Sequence, residues 1–340
     1  MARSEIAIDL GAVRRNAGVL LETLGGAELW AVVKADGYGH GAVDVGGAAL
    51  GAGATALCTA TVPEALALRS AFPDARLIVM GPTPEPEIGP AREARIELVV
   101  ADERPLPEGV PVHLKLDTGM GRWGLSELRR PERQVVGLMS HLATADTDRA
   151  FAERQIERFR EATAPFPGHT RHIANSAAAL KLPPARLDAA RCGIALYGLS
   201  PFGRDPADDR LEPALAWRSE LAQVKHLEPG ESTGYGRRFV TDRPTWIGLV
   251  PVGYADGFSR DLTGTEVSVG GELRRVVGTI SMDSFAVELS GPASVGTPVS
   301  LIGDGVLADD HARVAGTIGY ELVCGIDASP LRARRSVLDA

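Results

Sequence analysis

Ala31-Val32-Val33-Lys34-Ala35-Asp36-Gly37-Tyr38-Gly39-His40-Gly41 sets an apolar, β-branched run against a lysine and a glycine-rich turn. The run predicts a buried strand that stops at Lys34. The chain has four lysines against thirty-two arginines, so arginine does the ordinary surface work. A lysine at an apolar strand end then stands out. Its amine can lose a proton when buried and form an imine with an aldehyde; a guanidinium cannot. The plainer reading is a lysine snorkelling out of the strand end.

Similar runs recur along the chain. Strands are expected near 29–33, 55–60, 76–81, 96–101, 111–116, 135–140, 170–174 and 187–191, with helical or turn-like stretches between them. A short strand at 4–8 and a helix over 10–24 precede them. Eight alternations in roughly 200 residues fit an α/β fold, a (β/α)8 barrel of TIM type, with a doubly wound open sheet as the alternative. Residues 102–110 hold Pro105, Pro107 and Gly109 and allow a turn at most.

After Leu211 the texture changes. Runs at 214–227, 245–252, 265–278 and 284–289 read as strands, with Gly270-Gly271 as a hairpin turn and a helical tail from about 308. The expected division is a barrel over 9–210 and a mainly β domain over 211–340 that also takes strand 1–8. The boundary falls in the Pro-, Gly- and Asp-rich stretch 201–213.

Composition narrows the function. A net charge of −8 argues against nucleic acid and anionic membranes as partners. Cys58, Cys192 and Cys324 are odd in number and far apart, which suggests neither disulfides nor a zinc site. No metal is expected. The N-terminus lacks an apolar signal core, and no run is long enough to span a bilayer, so a cytoplasmic protein is expected.

Barrel sites lie at the carboxyl ends of the strands. Those ends collect Lys34 and Tyr38, Lys115 and Arg122, His141, Ser176, and Arg191 with Gly193 and Ile194. By itself Ser176 reads as a helix N-cap. Beside the glycine loop of the next strand it becomes a phosphate donor. A phosphate site plus an imine-forming lysine points to pyridoxal 5′-phosphate, an electron sink at Cα of amino acids. Arg191, a donor with no acceptor, would keep the pyridine nitrogen unprotonated, which favours racemisation over transamination. Arg122 suits a substrate carboxylate. Lys115 beside Arg122 implies repulsion unless the lysine is deprotonated or carbamylated. Four of the five tyrosines follow a glycine: Tyr38, Tyr235, Tyr254 and Tyr320. Racemisation needs bases on both faces of Cα, and a tyrosine can be the second.

These segments resemble the alanine racemase family. AVVKADGYGHG, LKLDTGMGRWG, SHLATAD, HIANSAA, RCGIALYG, TGYGRRF, PVGYADGF, GTISMDSF and GTIGYELVCG follow the family's order along nearly the whole chain. Gly319 stands where asparagine is usual, and the span from Arg122 to His141 is short. The resemblance implies a barrel followed by a β domain, and a homodimer whose sites take Lys34 from one chain and Tyr235 from the other. It implies Lys34 as cofactor lysine and base for D-alanine, and Tyr235 as base for L-alanine. His141 and Arg191 would tune Tyr235 and the pyridine nitrogen. Tyr38, Ser176, Gly193, Ile194 and Tyr320 would hold the phosphate. Arg122 and the Met282 backbone of the partner would hold the carboxylate, with Tyr254 and Asp283 as neighbours and Lys115 at the position often carbamylated. The product would supply peptidoglycan for the cell wall. A racemase of broader range or for serine, and a non-catalytic pyridoxal-phosphate carrier barrel, are the alternatives.

Overall fold

The computed structural model describes residues 3–339. The chain forms two compact units. One holds Ala12–Phe202 and Asp209–Glu212; the other holds residues up to Gly11, Gly203–Asp208 and Pro213 onward.

The first strand, β1 (Glu5–Asp9), belongs to the second unit, and the helix Leu10–Leu24 follows it. Eight parallel strands then close into a barrel. They are β2 (Glu28–Val32), β3 (Ala56–Thr59), β4 (Leu77–Val79), β5 (Ile96–Val100), β6 (Val112–Lys115), β7 (Val135–Met139), β8 (Thr170–His172) and β9 (Ala189–Cys192). Each falls on one of the eight expected runs. β9 pairs back onto β2, with Trp30 opposite Arg191, and this pairing excludes the open sheet. Parallel strands covered on both faces read as short, mainly apolar runs; β8, Thr170-Arg171-His172, is polar and is followed by the apolar Ile173-Ala174.

Helices Ala42–Gly51, Val62–Ala71, Glu85–Glu93, Arg149–Thr163 and Ser176–Lys181 lie between these strands. No helix forms over 101–111 or 116–134. Pro105, Pro107 and Gly109 explain the first gap, and Gly119, Gly121, Gly124 and Pro131 the second.

The second unit is a nine-stranded sheet with a small separate ladder. Its further strands are β10 (Leu215–Glu220), β11 (Gln223–Leu227), β12 (Ser232–Thr233), β13 (Phe239–Val240), β14 (Thr245–Val250), β15 (Glu266–Val269), β16 (Glu272–Val277), β17 (Phe285–Leu289), β18 (Pro298–Ile302) and β19 (Arg334–Leu338). The sheet order is β11-β14-β17-β16-β15-β18-β10-β1-β19. Gly270 and Gly271 both take positive φ, as a two-residue hairpin between β15 and β16 requires. Phe258 anchors the core here, stacked on Phe285 at 4.4 Å and edge-on to Trp217 at 6.0 Å.

The end of the chain departs from the helical tail expected. Helices Ala308–Ala315 and Gly319–Cys324 form, but β19 then adds to the sheet, parallel to β1. Arg334-Arg335-Ser336-Val337-Leu338 is a polar edge strand. Its place comes from the unpaired backbone edge of β1 and a 2.7 Å ion pair from Arg334 to Glu5.

Candidate active site

Lys34 comes two residues after the end of β2, just before the backbone turns left-handed. Ala35, Asp36, Gly37 and Tyr38 all have φ between 48° and 61°. Residues with a Cβ are disfavoured there by roughly 1–2 kcal/mol each, so the turn must be held from outside. The Ala35 N–H donates to Glu64 Oε1 at 2.8 Å, and the Ala42 N–H donates to Asp36 Oδ1 at 2.8 Å. Glu64 is itself anchored, accepting from the Ala60 and Thr61 N–H groups as half of a capping box with Thr61. The turn buries Tyr38 against Tyr197, ring centroids 4.9 Å apart. The Tyr197 hydroxyl donates back to the Val32 carbonyl at 2.8 Å.

Ser176 begins its helix, but it is not the N-cap. Asn175 fills that position, its Oδ1 accepting the Ala178 N–H at 3.0 Å. The Ser176 hydroxyl instead accepts N–H groups from Gly193 at 3.1 Å and Ala195 at 3.4 Å. Gly193 must be glycine, because a Cβ there would lie 2.4 Å from the Tyr38 hydroxyl oxygen. The structure therefore brings together Tyr38, Ser176, Gly193 and Ile194, two hydroxyls beside the buried backbone of Gly193 and Ile194.

Next to them lies a cluster of cationic groups. Lys115 ends β6 and is only 3% exposed. Burial first, then the charges of Arg191 and Arg122, pulls its pKa down to about 8. Lys115 and Arg122 both lie over the Trp123 ring, at 5.8 and 5.3 Å. Asp117 is occupied by the backbone N–H groups of Gly119, Met120 and Gly121. The charge of Lys34 acts on both Lys115 and His141.

Arg191 is buried on β9. Its Nη1 donates to His172 Nδ1 at 2.6 Å and to the His172 carbonyl at 3.0 Å. Its Nη2 donates to the Ser140 carbonyl at 2.8 Å and to His141 Nδ1 at 3.2 Å. The Nε–H has no partner among the described residues, so one fixed donor remains for a ligand. Burial, then the charge of Arg191, holds His141 well below the usual histidine range, so it is neutral. Arg191 can only donate, which leaves the His141 proton on Nε2.

The second unit carries the remaining candidates. Tyr235 is 74% exposed on the short turn Tyr235–Arg237, and its carbonyl accepts the Thr279 hydroxyl at 2.9 Å. The exposed Tyr254 and Met282 sit on paired loops: the Tyr254 N–H donates to the Ser281 carbonyl and the Ala255 N–H to the Met282 carbonyl. Asp283 is taken by Arg332 at 2.7 Å and Arg3 at 3.1 Å. Tyr320 lies half-buried on the helix Gly319–Cys324. Of the four glycines that precede tyrosines, Gly37 and Gly234 use positive φ.

His172, which carries Arg191, is absent from the sequence-derived candidates. A polar residue inside the short run Thr170–His172, ending a barrel strand as Lys115 does, is the signal that marks it.

A strand-end lysine, a donor cradle and a buried guanidinium at one set of barrel strand ends define a site for an anionic, amine-reactive ligand. Comparison with known proteins gives that class a family. The family model "Alanine racemase, N-terminal domain" matches residues 8–201, and "Alanine racemase, C-terminal domain" matches 214–334. Alanine racemase of Streptomyces coelicolor is 42% identical over 366 residues, spanning 95% of this chain and 94% of the relative. Alanine racemase 1 of Bacillus subtilis is 38% identical over 94% of this chain and 90% of its own length. The crystal structure of alanine racemase from D-cycloserine-producing Streptomyces lavendulae superposes with a TM-score of 0.93 at 36% identity, covering 100% of this chain and 98% of the other. The chain belongs to the alanine racemase family.

Proposed function

We propose that this chain interconverts L-alanine and D-alanine with pyridoxal 5′-phosphate as its cofactor, as a homodimer in the cytoplasm, and so supplies D-alanine for peptidoglycan. The observation that carries the reading is Arg191: a buried guanidinium with four N–H groups committed to fixed acceptors and its Nε–H left over. When bound, the cofactor withdraws electrons from Cα and makes its proton acidic.

The residues present fit that group. Lys34 would hold its aldehyde carbon. Tyr38, Ser176, Gly193, Ile194 and Tyr320 would hold the phosphate; the narrow approach of Tyr38 to Gly193 supports the cradle. The Arg191 Nε–H would meet the ring nitrogen and keep it unprotonated, since the guanidinium has no lone pair to share and stays charged. Arg122 and the Met282 backbone of a second copy would orient the substrate carboxylate, with Tyr254 and Asp283 as neighbours. A carbamate on Lys115 would replace a buried cation with an anion next to Arg122.

Lys34 Nζ moves the Cα proton on one face, as base toward D-alanine. The phenol oxygen of Tyr235 from a second copy moves it on the other, as base toward L-alanine. A tyrosine three-quarters exposed on a pinned turn supports the dimer, because it is presented outward and held in place. The neutral His141, with its proton on Nε2, is a donor that would stabilise the phenolate. The buried thiols of Cys58 and Cys192, in no disulfide among the described residues, support a reducing compartment. Among the described residues no helix is long and apolar enough to cross a membrane.

The test is a racemisation assay on purified, cofactor-loaded protein. D-alanine should form from L-alanine, and serine should turn over far more slowly. Cofactor binding without D-alanine formation would leave only a carrier.

A further inference from the structure

The polar contacts of Arg191 continue through the barrel interior. His172 Nε2 lies 2.9 Å from His113 Nδ1, and His113 Nε2 lies 2.7 Å from Glu97 Oε2. Arg76 closes the chain, donating to Glu97 at 2.8 and 3.0 Å. Four residues from β9, β8, β6 and β5 thus connect the candidate site to Arg76, immediately before β4.

The direction of every bond follows from its ends. Arg191 only donates, so His172 Nδ1 carries no proton. His172 must then donate from Nε2 to a bare His113 Nδ1, and His113 donates from Nε2 to the Glu97 carboxylate. Burial lowers the pKa of both imidazoles, which agrees with two neutral rings. His113, Arg76 and burial act together on Glu97; the hydrogen bonds win over burial and hold its carboxyl near 2, ionised. The reverse arrangement would aim a His172 N–H at the Arg191 N–H, donor against donor.

The barrel is built around this chain. Gly137 pairs with His113 across β6 and β7, and a Cβ at Gly137 would lie 2.1 Å from His113 Nδ1. Trp30 packs on both imidazoles, 4.5 Å from His172 and 5.7 Å edge-on to His113.

We propose that Glu97 and His113 are positioning residues for Arg191: the Glu97 carboxylate locks both imidazoles as Nε2–H, which leaves His172 able only to accept from Arg191. The proposal rests on the reading of Arg191 as the partner of the cofactor's ring nitrogen.

The test uses cofactor-loaded, full-length protein with two readouts. Imidazole ¹⁵N–¹H NMR should show His113 and His172 as neutral Nε2–H tautomers. Glu97→Gln, whose amide can accept from or donate to His113, leaves Arg191 alone to set the proton order; where the amide donates, His172 turns an Nδ1–H toward Arg191 and loses that bond, so mixed tautomers at His172 are expected. The same variant should shift the cofactor's visible absorption and lower kcat about tenfold, the size of one weakened charge-assisted hydrogen bond. KM for alanine should stay within about twofold. His113→Gln, which can still accept from His172 and donate to Glu97, should retain the single His172 tautomer and the cofactor absorption of the wild type; His113→Leu should lose both. That pair answers the question should Glu97→Gln fail to fold. A single His172 tautomer in Glu97→Gln, or an unmoved cofactor absorption, overturns the proposal. Arg191→Lys tests the underlying reading apart from the relay: unchanged cofactor absorption in that variant refutes the role of Arg191, while the tautomers at His172 still report on Glu97.

Discussion

Lys115 offers the sharpest quantitative test. Its pKa of about 8 stands against 10.5 for an ordinary lysine. At about pH 7.4 roughly one fifth of such a side chain is the neutral amine, against roughly 0.1% at the ordinary value, a gain of about 250-fold. The neutral amine attacks CO2: a nitrogen–carbon bond forms, one proton leaves, and an anionic carbamate replaces the ammonium. Burial and the charges of Arg191 and Arg122 all penalise the ammonium; burial does so by favouring the neutral amine that attacks CO2, and only the two guanidinium charges favour the anion. The same shift has a sign in stability. The folded pKa lies below the unfolded one, so the ammonium destabilises the fold below about pH 8 by up to about 3 kcal/mol, and the penalty fades as pH rises from about 8 to 10.5. The assay is ¹³C NMR of the protein in ¹³C-bicarbonate, with thermal melting in the presence and absence of CO2. A carbamate carbon should appear in the wild type and be missing in Lys115→Met, and CO2 should raise the Tm of the wild type alone. A wild type with no carbamate signal, or a Lys115 that titrates above about 10, refutes the reasoning.

Lys34→Ala should abolish covalent retention of pyridoxal phosphate, read as borohydride-trapped cofactor on the lysine peptide; cofactor trapped at full yield in this variant would place it elsewhere. Tyr235→Phe should slow L-to-D turnover by roughly two orders of magnitude, the usual share of a general base, while cofactor affinity stays near wild type. Equal turnover would remove Tyr235 from the reaction. Gly193→Ala puts a methyl 2.4 Å from the Tyr38 hydroxyl. It should weaken cofactor binding several-fold by equilibrium dialysis, and unchanged binding would show that the Tyr38–Gly193 approach does not serve the phosphate.

The barrel could be read along the chain because its evidence is local. Strands covered on both faces are mainly apolar, and proline and glycine marked where helices could not form. Lys34 was legible for a compositional reason: in a chain that uses arginine almost everywhere, a strand-end lysine is conspicuous. Other features depended on partners far away in sequence. The left-handed turn at Ala35–Tyr38 exists because Glu64 and the Ala42 N–H hold it, and nothing in Ala, Asp and Tyr announces that geometry. Asn175 took the cap position that Ser176 also fitted, freeing the Ser176 hydroxyl for Gly193. β19 was hidden because an edge strand can be polar; only the open edge of β1 tells it where to lie.

By itself, then, the order of residues determined the barrel, the β-rich second half and the lysine at the end of its first barrel strand, since each rests on runs of neighbouring side chains. Tertiary structure alone decided that Glu97, His113, His172 and Arg191 touch. They stand singly on four strands, and only the closure and register of the barrel bring their ring and carboxylate atoms within about 3 Å. Hydrogen bonds reach no further than that, so a relay of this kind is written in the distances between strands and not in any one of them.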